Sequence, residues 1–225
     1  MTKHIPIEVF SSVWWIGLLF SVFTIILILV ALKGKSNQLK SYSSYLFAII
    51  FTLMYVSTNL IAIKNNTWNL LQSLPFQICY ISLIIGIIVL VNKKQWMFEW
   101  MVFIGSLSGF YAIITPVLTI GNSAWFYFEF YVLHAGIIFI PLYLHIIHNM
   151  RCRFNAWWKS LLRIQIPVVF LLVFNYYVGS NYMFLIEKPI VNHIFLIGEW
   201  PFYVIIINLI VVGHVYLINK FFVSQ

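Results

Sequence analysis

Seven stretches of about 20 residues, nearly free of charge and separated by short polar breaks, constrain this chain more than any other feature. Each is long enough to cross roughly 30 Å of hydrocarbon as a helix, because a helix satisfies its own backbone hydrogen bonds where no water is available. They lie near 13–32, 42–63, 74–91, 100–120, 126–147, 162–179 and 200–218. The expected fold is therefore all-α: a polytopic membrane helix bundle of about seven spans, forming one transmembrane domain over residues 1–225. The longest connection is 180–199, and no low-complexity segment or internal repeat interrupts the pattern. The first run is too long for a signal-peptide core and ends in Ala31-Leu32-Lys33-Gly34-Lys35 without a small-residue cleavage site. It is expected to stay as a span, with the mature chain starting at Met1.

Composition agrees: 63% of residues are hydrophobic and 8% charged, too few charges to build a water-facing surface. A net charge of +8 on a soluble protein would point to nucleic acid. Here the basic residues sit in short loops between apolar runs, so cytoplasmic retention and anionic lipid head groups account for them, and nucleic acid is set aside. Ten of the thirteen Lys and Arg fall on one side when loops are taken alternately, among them Lys33, Lys35, Lys40, Lys93, Lys94, Arg151 and Arg153. Lys3, Lys64 and Lys188 fall on the other. The expected topology is N-out and C-in, in the cell membrane. All nine Trp fall at proposed span ends or in loops, the headgroup level the indole prefers. Pro75 and Pro201 are expected in first helical turns, where the missing N–H is harmless, with Glu199 near the positive end of the last helix dipole.

Polar groups inside lipid are costly, so those away from span ends are the functional candidates. Cys79 lies five residues into the third span, about 8 Å deep, and His134 eight residues into the fifth, about 12 Å deep, both running inward from the outer side. A thiol and an imidazole at similar depth are the minimum set for nucleophilic catalysis: a thiolate attacks and an imidazole moves the proton. The competing reading is structural, since Cys often packs as a small buried hydrophobe. A disulfide between Cys79 and Cys152 is not expected, because Cys152 lies in an inner loop a membrane thickness away. Gln77, Thr115, Glu129, Asn175, Ser180, Asn181 and Tyr182 cluster at the same outer level and could line one cavity. Glu129 is about 140° round the helix from His134 and cannot orient its ring; Asn175 or Tyr182 suits that better, or else each bonds a neighbouring helix. His145 and His148 share a face with no acidic or Cys partner nearby, a pattern of interfacial histidines rather than a metal site. His214 reads as a packed, hydrogen-bonded histidine. Pro116, Pro141 and Pro167 are expected to kink spans.

The segment from Val178 to Pro189, with Asn181-Tyr182-Met183-Phe184-Leu185 at its centre, followed by Gly198-Glu199-Trp200-Pro201-Phe202-Tyr203, resembles the signature of the YwaF family of bacterial membrane proteins. Leu74-Pro75-Phe76-Gln77-Ile78-Cys79 and the His134 segment fall where that family has its Leu-Pro-x-x-x-Cys and its membrane histidine. The family is similar in turn to an animal ether-phospholipid acyltransferase family with a membrane Cys and His as its catalytic pair. The resemblance implies acyl transfer between membrane phospholipids through an acyl-cysteine, without a cofactor. Many bacterial members carry His two residues before the Cys; this chain has Gln77, which cannot replace a base there. In this reading Cys79 and His134 are catalytic, while Gln77, Asn175, Asn181, Tyr182 and Lys188 hold the lipid, Lys188 by pairing a phosphate. The alternative is a non-enzymatic seven-span protein, a small transporter or a lipid-binding partner, in which the same polar groups line a passage.

Overall fold

Serine caps begin the first two helices: Ser11 Oγ accepts from Trp14 N–H at 3.3 Å, and Ser36 Oγ from Leu39 N–H at 3.3 Å. The structure, a computed structural model, describes residues 5–118, 123–189 and 196–222. Among these residues the helices are α1 (Ser12–Leu32), α2 (Asn37–Lys64), α3 (Ile78–Asn92), α4 (Gln95–Ile114), α5 (Ala124–Ile146), α6 (Ala156–Val178) and α7 (Phe202–Phe222). Six are long and apolar enough to cross a membrane. At 15 residues, α3 reaches only about 22 Å. The chain is thus an all-α polytopic bundle, with a two-residue antiparallel bridge pairing Ile5 with Leu118 and Pro6 with Val117.

α4 and α5 form the centre, where Phe98, Met101, Phe103, Ile137, Ile140 and Tyr143 are fully buried. Their contact is close because Gly109 has no side chain: a Cβ there would lie 2.8 Å from the His134 carbonyl. Gly136 does the same for α2 and α5, since a Cβ would lie 2.5 Å from the Phe51 ring. Gly136→Ala is expected to lower the melting temperature in detergent by overpacking worth about 1–3 kcal/mol. An unchanged midpoint would show that Phe51 moves aside freely.

Several expectations are corrected here. The third helix begins at Ile78 rather than near Leu74, so Pro75 lies in a turn outside it. Residues 74–77 are held instead by the loop after α6: Tyr182 Oη accepts from Leu74 N–H at 3.0 Å, and Gln77 Oε1 from Met183 N–H at 2.9 Å. Non-helical backbone beside a short span is tolerated when protein covers it. Pro201 directly precedes α7, its carbonyl accepting from Ile205 N–H at 3.3 Å. Pro116 kinks nothing; α4 stops at Ile114, and Thr115 takes the extended φ that a residue before proline prefers. Trp100 is inside α4, 3% exposed, and donates to Ser82 Oγ at 3.1 Å, so it is a core residue rather than an interfacial one. Lys3 lies outside the described residues.

Met101–Gly105 form a π-helical segment in which Ser106 N–H reaches back to Met101 O. One turn earlier, Glu99 is fully buried and ringed by donors: Arg153 Nε at 2.7 Å, Arg153 Nη2 at 2.8 Å, Gln95 Nε2 at 3.0 Å and Arg153 N–H at 3.2 Å. Arg163 belongs to α6, which starts six residues earlier than its apolar run; its Nη1 is 3.9 Å from Glu99 Oε2. These contacts gather residues 93–94 and 147–155 at one end of the bundle. Tyr143 Oη adds α2, donating to the Lys40 carbonyl at 2.7 Å and contacting Ser43 and Ser44 Oγ at 2.8 and 3.0 Å. This is the basic end.

His148, just beyond α5, contacts Ser44 Oγ at 3.0 Å and Tyr143 Oη at 3.1 Å through Nε2. Burial first, and the charges of Lys93 and Lys40 after it, push its imidazole down to about 4. The unfolded chain binds a proton there below about 6.5. The folded state refuses that proton until the pH nears 4, so stability falls as pH falls through that window. His148→Gln is expected to flatten the fall in melting temperature between pH 7 and pH 5. An identical pH profile in the variant would show that other groups carry it.

Candidate functional site

At the opposite end, the short α3 decides where the thiol sits. Gln77 is the N-cap in extended backbone, φ −70° and ψ 144°, which makes Cys79 the second residue of the helix. It therefore lies in the first turn, where backbone N–H groups lack partners within the helix and the helix dipole is positive. The thiol is half-buried and its Sγ donates to the Ser108 carbonyl of α4 at 3.6 Å. That carbonyl lies one residue from Gly109, against which the His134 backbone packs. Cys79 and His134 thus adjoin consecutive residues of α4 from two different helices, and among the described residues no hydrogen bond joins them.

His134 is 9% exposed and lies under the Phe130 ring, centroids 4.2 Å apart. Its Nδ1 is 2.7 Å from the Phe130 carbonyl. A carbonyl only accepts, so Nδ1 carries the proton of the neutral ring and Nε2 keeps its lone pair. Among the described residues Nε2 has no hydrogen-bond partner, so the atom able to take a proton is uncommitted. Neither Asn175 nor Tyr182 orients the ring; the carbonyl four residues back on its own helix does. Glu129 points elsewhere, hydrogen-bonded to Thr58 of α2, which also accepts from Trp125 Nε1 at 3.2 Å.

The remaining candidates are placed over this end of the bundle, engaged with one another. Asn175 Oδ1 accepts from Ser180 Oγ at 2.8 Å and Tyr182 N–H at 2.9 Å, while its Nδ2 donates to the Tyr182 carbonyl at 2.9 Å. Asn181 Oδ1 accepts from Ile186 N–H at 3.1 Å and Glu187 N–H at 3.2 Å, and its Nδ2 donates to the Glu187 carbonyl at 2.8 Å. Tyr182 is fully buried and its Oη donates to the Leu70 carbonyl at 2.6 Å; burial pushes its phenol up. Asn175 and Asn181 spend their bonds on the loop after α6, and the Tyr182 hydroxyl ties that loop to residues 70–74. Lys188 pairs with the exposed Glu199 at 3.1 Å over the Tyr203 ring. Gln77 commits only its Oε1, leaving the amide N–H₂ to other partners. Thr115 bonds its own helix at the Tyr111 carbonyl, 2.9 Å away.

His145, His148, His214 and the second thiol lie apart. His145 Nδ1 meets the Met150 carbonyl at 3.0 Å, so it and His148 have different partners. His214 is packed and bonded as expected, to the Ile210 carbonyl at 2.8 Å and Tyr111 Oη at 3.0 Å. Cys79 and Cys152 are both free. Cys152 is buried at the basic end, where burial and then the Glu99 charge push its thiol up to about 12. The carbonyls of Ser108 and Phe130 escape sequence reading, because any residue supplies a carbonyl; only the i−4 position of Phe130 could have been anticipated.

Compared with known proteins, the chain matches the family model of the TMEM164 family over residues 9–219. No curated protein and no solved structure matches it.

Proposed function

Because the chain belongs to the TMEM164 family, a multi-pass membrane family, we propose that it acts on membrane phospholipids as an acyltransferase or acyl hydrolase, with Cys79 as nucleophile and His134 as base. The observation that carries the reading is the placement of a half-buried thiol in the first turn of α3, next to the turn of α4 on which His134 packs with an uncommitted Nε2. The resemblance of the Cys79, His134 and Asn181–Leu185 segments to the YwaF family, itself similar to an animal ether-phospholipid acyltransferase family, supports it. With the N-out orientation expected from the loop charges, the reaction belongs to the outer leaflet.

In the first half-reaction Cys79 Sγ, its proton passed to His134 Nε2, attacks the ester carbonyl carbon of a donor phospholipid. A C–S bond forms, the ester C–O bond breaks, and the lysolipid leaves with the proton from Nε2. In the second, an acceptor hydroxyl gives its proton to Nε2, attacks the thioester and restores the thiol. Water in place of the lysolipid makes the same step a hydrolysis, and hydrocarbon surroundings keep water scarce. The Gln77 amide at the start of α3 and Lys188 of the loop after α6 are the groups that reach a head group, while Asn175, Asn181 and Tyr182 hold that loop in place. No cofactor takes part.

The test is intact mass of purified protein incubated with labelled phospholipid and lysolipid. A mass increase of one acyl chain, removed by hydroxylamine, is expected. Absence of turnover with every lipid pair would favour the non-enzymatic alternative, a transporter or lipid-binding partner.

A further inference from the structure

A cavity of about 310 Å³ opens at the basic end, across the bundle from Cys79. Three elements line it: the first turns of α2 with Asn37, Lys40 and Ser41, the end of α3 with Lys93, and the turn after α5 with His148. Lys93 takes left-handed backbone, φ 53°, as the cap of α3, and its Nζ donates to the Leu90 carbonyl. That bond uses one of three ammonium donors. Capping α3 accounts for Lys93 alone; it does not account for Lys40 and His148 on the same walls. No carboxylate lines the cavity. Glu99, the carboxylate paired at this end, is taken up by Arg153 with Arg163 beside it. Two lysines, an imidazole held neutral between them and the positive end of α2 thus face one space without an opposite charge.

We propose that this cavity binds a phosphate group, the head-group phosphate of an anionic phospholipid in the leaflet at the basic end. The volume suits it, with room for about ten waters at about 30 Å³ each, hence for a phosphate and part of a glycerol. Two further lining residues favour the lipid over a soluble phosphate ester. Tyr45 and Val91 are 47% and 48% exposed on the outer surfaces of α2 and α3, so the cavity opens sideways, where acyl chains lie. The site is separate from Cys79 and His134 and holds whether or not acyl transfer is catalysed.

The experiment uses the full chain in detergent, probed with dioctanoyl phosphatidic acid, dioctanoylglycerol and inorganic phosphate. Burial brings the Lys93 amine down to about 8, so it reacts readily with an amine-selective acetylating reagent at mildly alkaline pH. Phosphatidic acid is expected to protect Lys93 and Lys40, as read by peptide mass spectrometry, and dioctanoylglycerol is not. Protection by the lipid alone assigns the site to a head group; equal protection by inorganic phosphate keeps the phosphate site and overturns the lipid as its source. Equal protection by dioctanoylglycerol, or none by either phosphate, overturns the proposal. Lys40→Gln and Lys93→Gln should each weaken phosphatidic acid binding about fivefold, and Lys93→Arg should restore it. Lys40→Gln leaves the Tyr143 network in place, since that network uses the Lys40 carbonyl. Lys33→Gln and Lys35→Gln, on the same end but outside the cavity, should change binding little; an equal loss would reduce the effect to surface charge.

Discussion

Cys79→Ala is expected to remove acyl transfer by on the order of 10³-fold or more and to leave no acyl-protein mass, while the protein still assembles. Losing the nucleophile removes both half-reactions at once, since neither can form or resolve a thioester. The packing loss is small: the thiol is half-buried and its hydrogen bond is one weak contact, 3.6 Å from the Ser108 carbonyl. His134→Gln should slow acyl-protein formation by roughly 10²–10⁴-fold, because an amide can keep the bond to the Phe130 carbonyl but cannot take a proton. Turnover with a labelled phospholipid and lysolipid, read beside the melting temperature, separates lost chemistry from lost folding. Normal lipid exchange by Cys79→Ala would remove the cysteine from the mechanism.

Arg153→Met is expected to destabilise the bundle by about 3 kcal/mol, the lower end of the range for breaking a buried ion pair. Glu99 is fully enclosed and Arg153 provides three of its donors, so truncating Arg153 leaves a buried carboxylate with Gln95 and the more distant Arg163. The backbone N–H of residue 153 remains, and the guanidinium side is 56% exposed, which keeps the loss from being larger. The double variant Glu99→Leu with Arg153→Met should recover much of it, because an apolar pair leaves no charge unpaired. Thermal melting of the three proteins in one detergent checks both statements. A double variant no better than Arg153→Met would show that the clamp acts through backbone geometry at the neighbouring π-helical segment rather than through charge.

What was legible differs residue by residue. The spans over Ser12–Leu32 and Ala124–Ile146 lie within two residues of their apolar runs, because transfer into lipid sums over a segment's own side chains. The starts of α2 and α6 were misplaced by five and six residues, since both helices continue past the hydrocarbon into polar sequence. Trp100 defeats the interfacial rule because Ser82 supplies a buried partner for its indole, and the approach of Arg163 to Glu99 is hidden because Glu99 lies on another helix. The Cys79 and His134 segments could be singled out by residue type and depth. That Asn175 and Asn181 spend their bonds on the loop after α6, and Tyr182 its hydroxyl on residues 70–74, could not, since a side chain's partner is not written beside it.

From the amino-acid order alone the chain reads as a membrane helix bundle, with most of its basic residues in or beside alternate breaks between the apolar runs. Each of those properties is additive over neighbouring residues, so no knowledge of the fold is needed to read it. Only the tertiary structure decided that α3 starts at Ile78 and so brings Cys79 into a first turn, and that Gly109 lets His134 approach α4. It alone set Lys40, Lys93 and His148 around one cavity. These depend on close packing between segments up to about a hundred residues apart, where a missing Cβ or a single hydrogen bond to a loop shifts a whole helix.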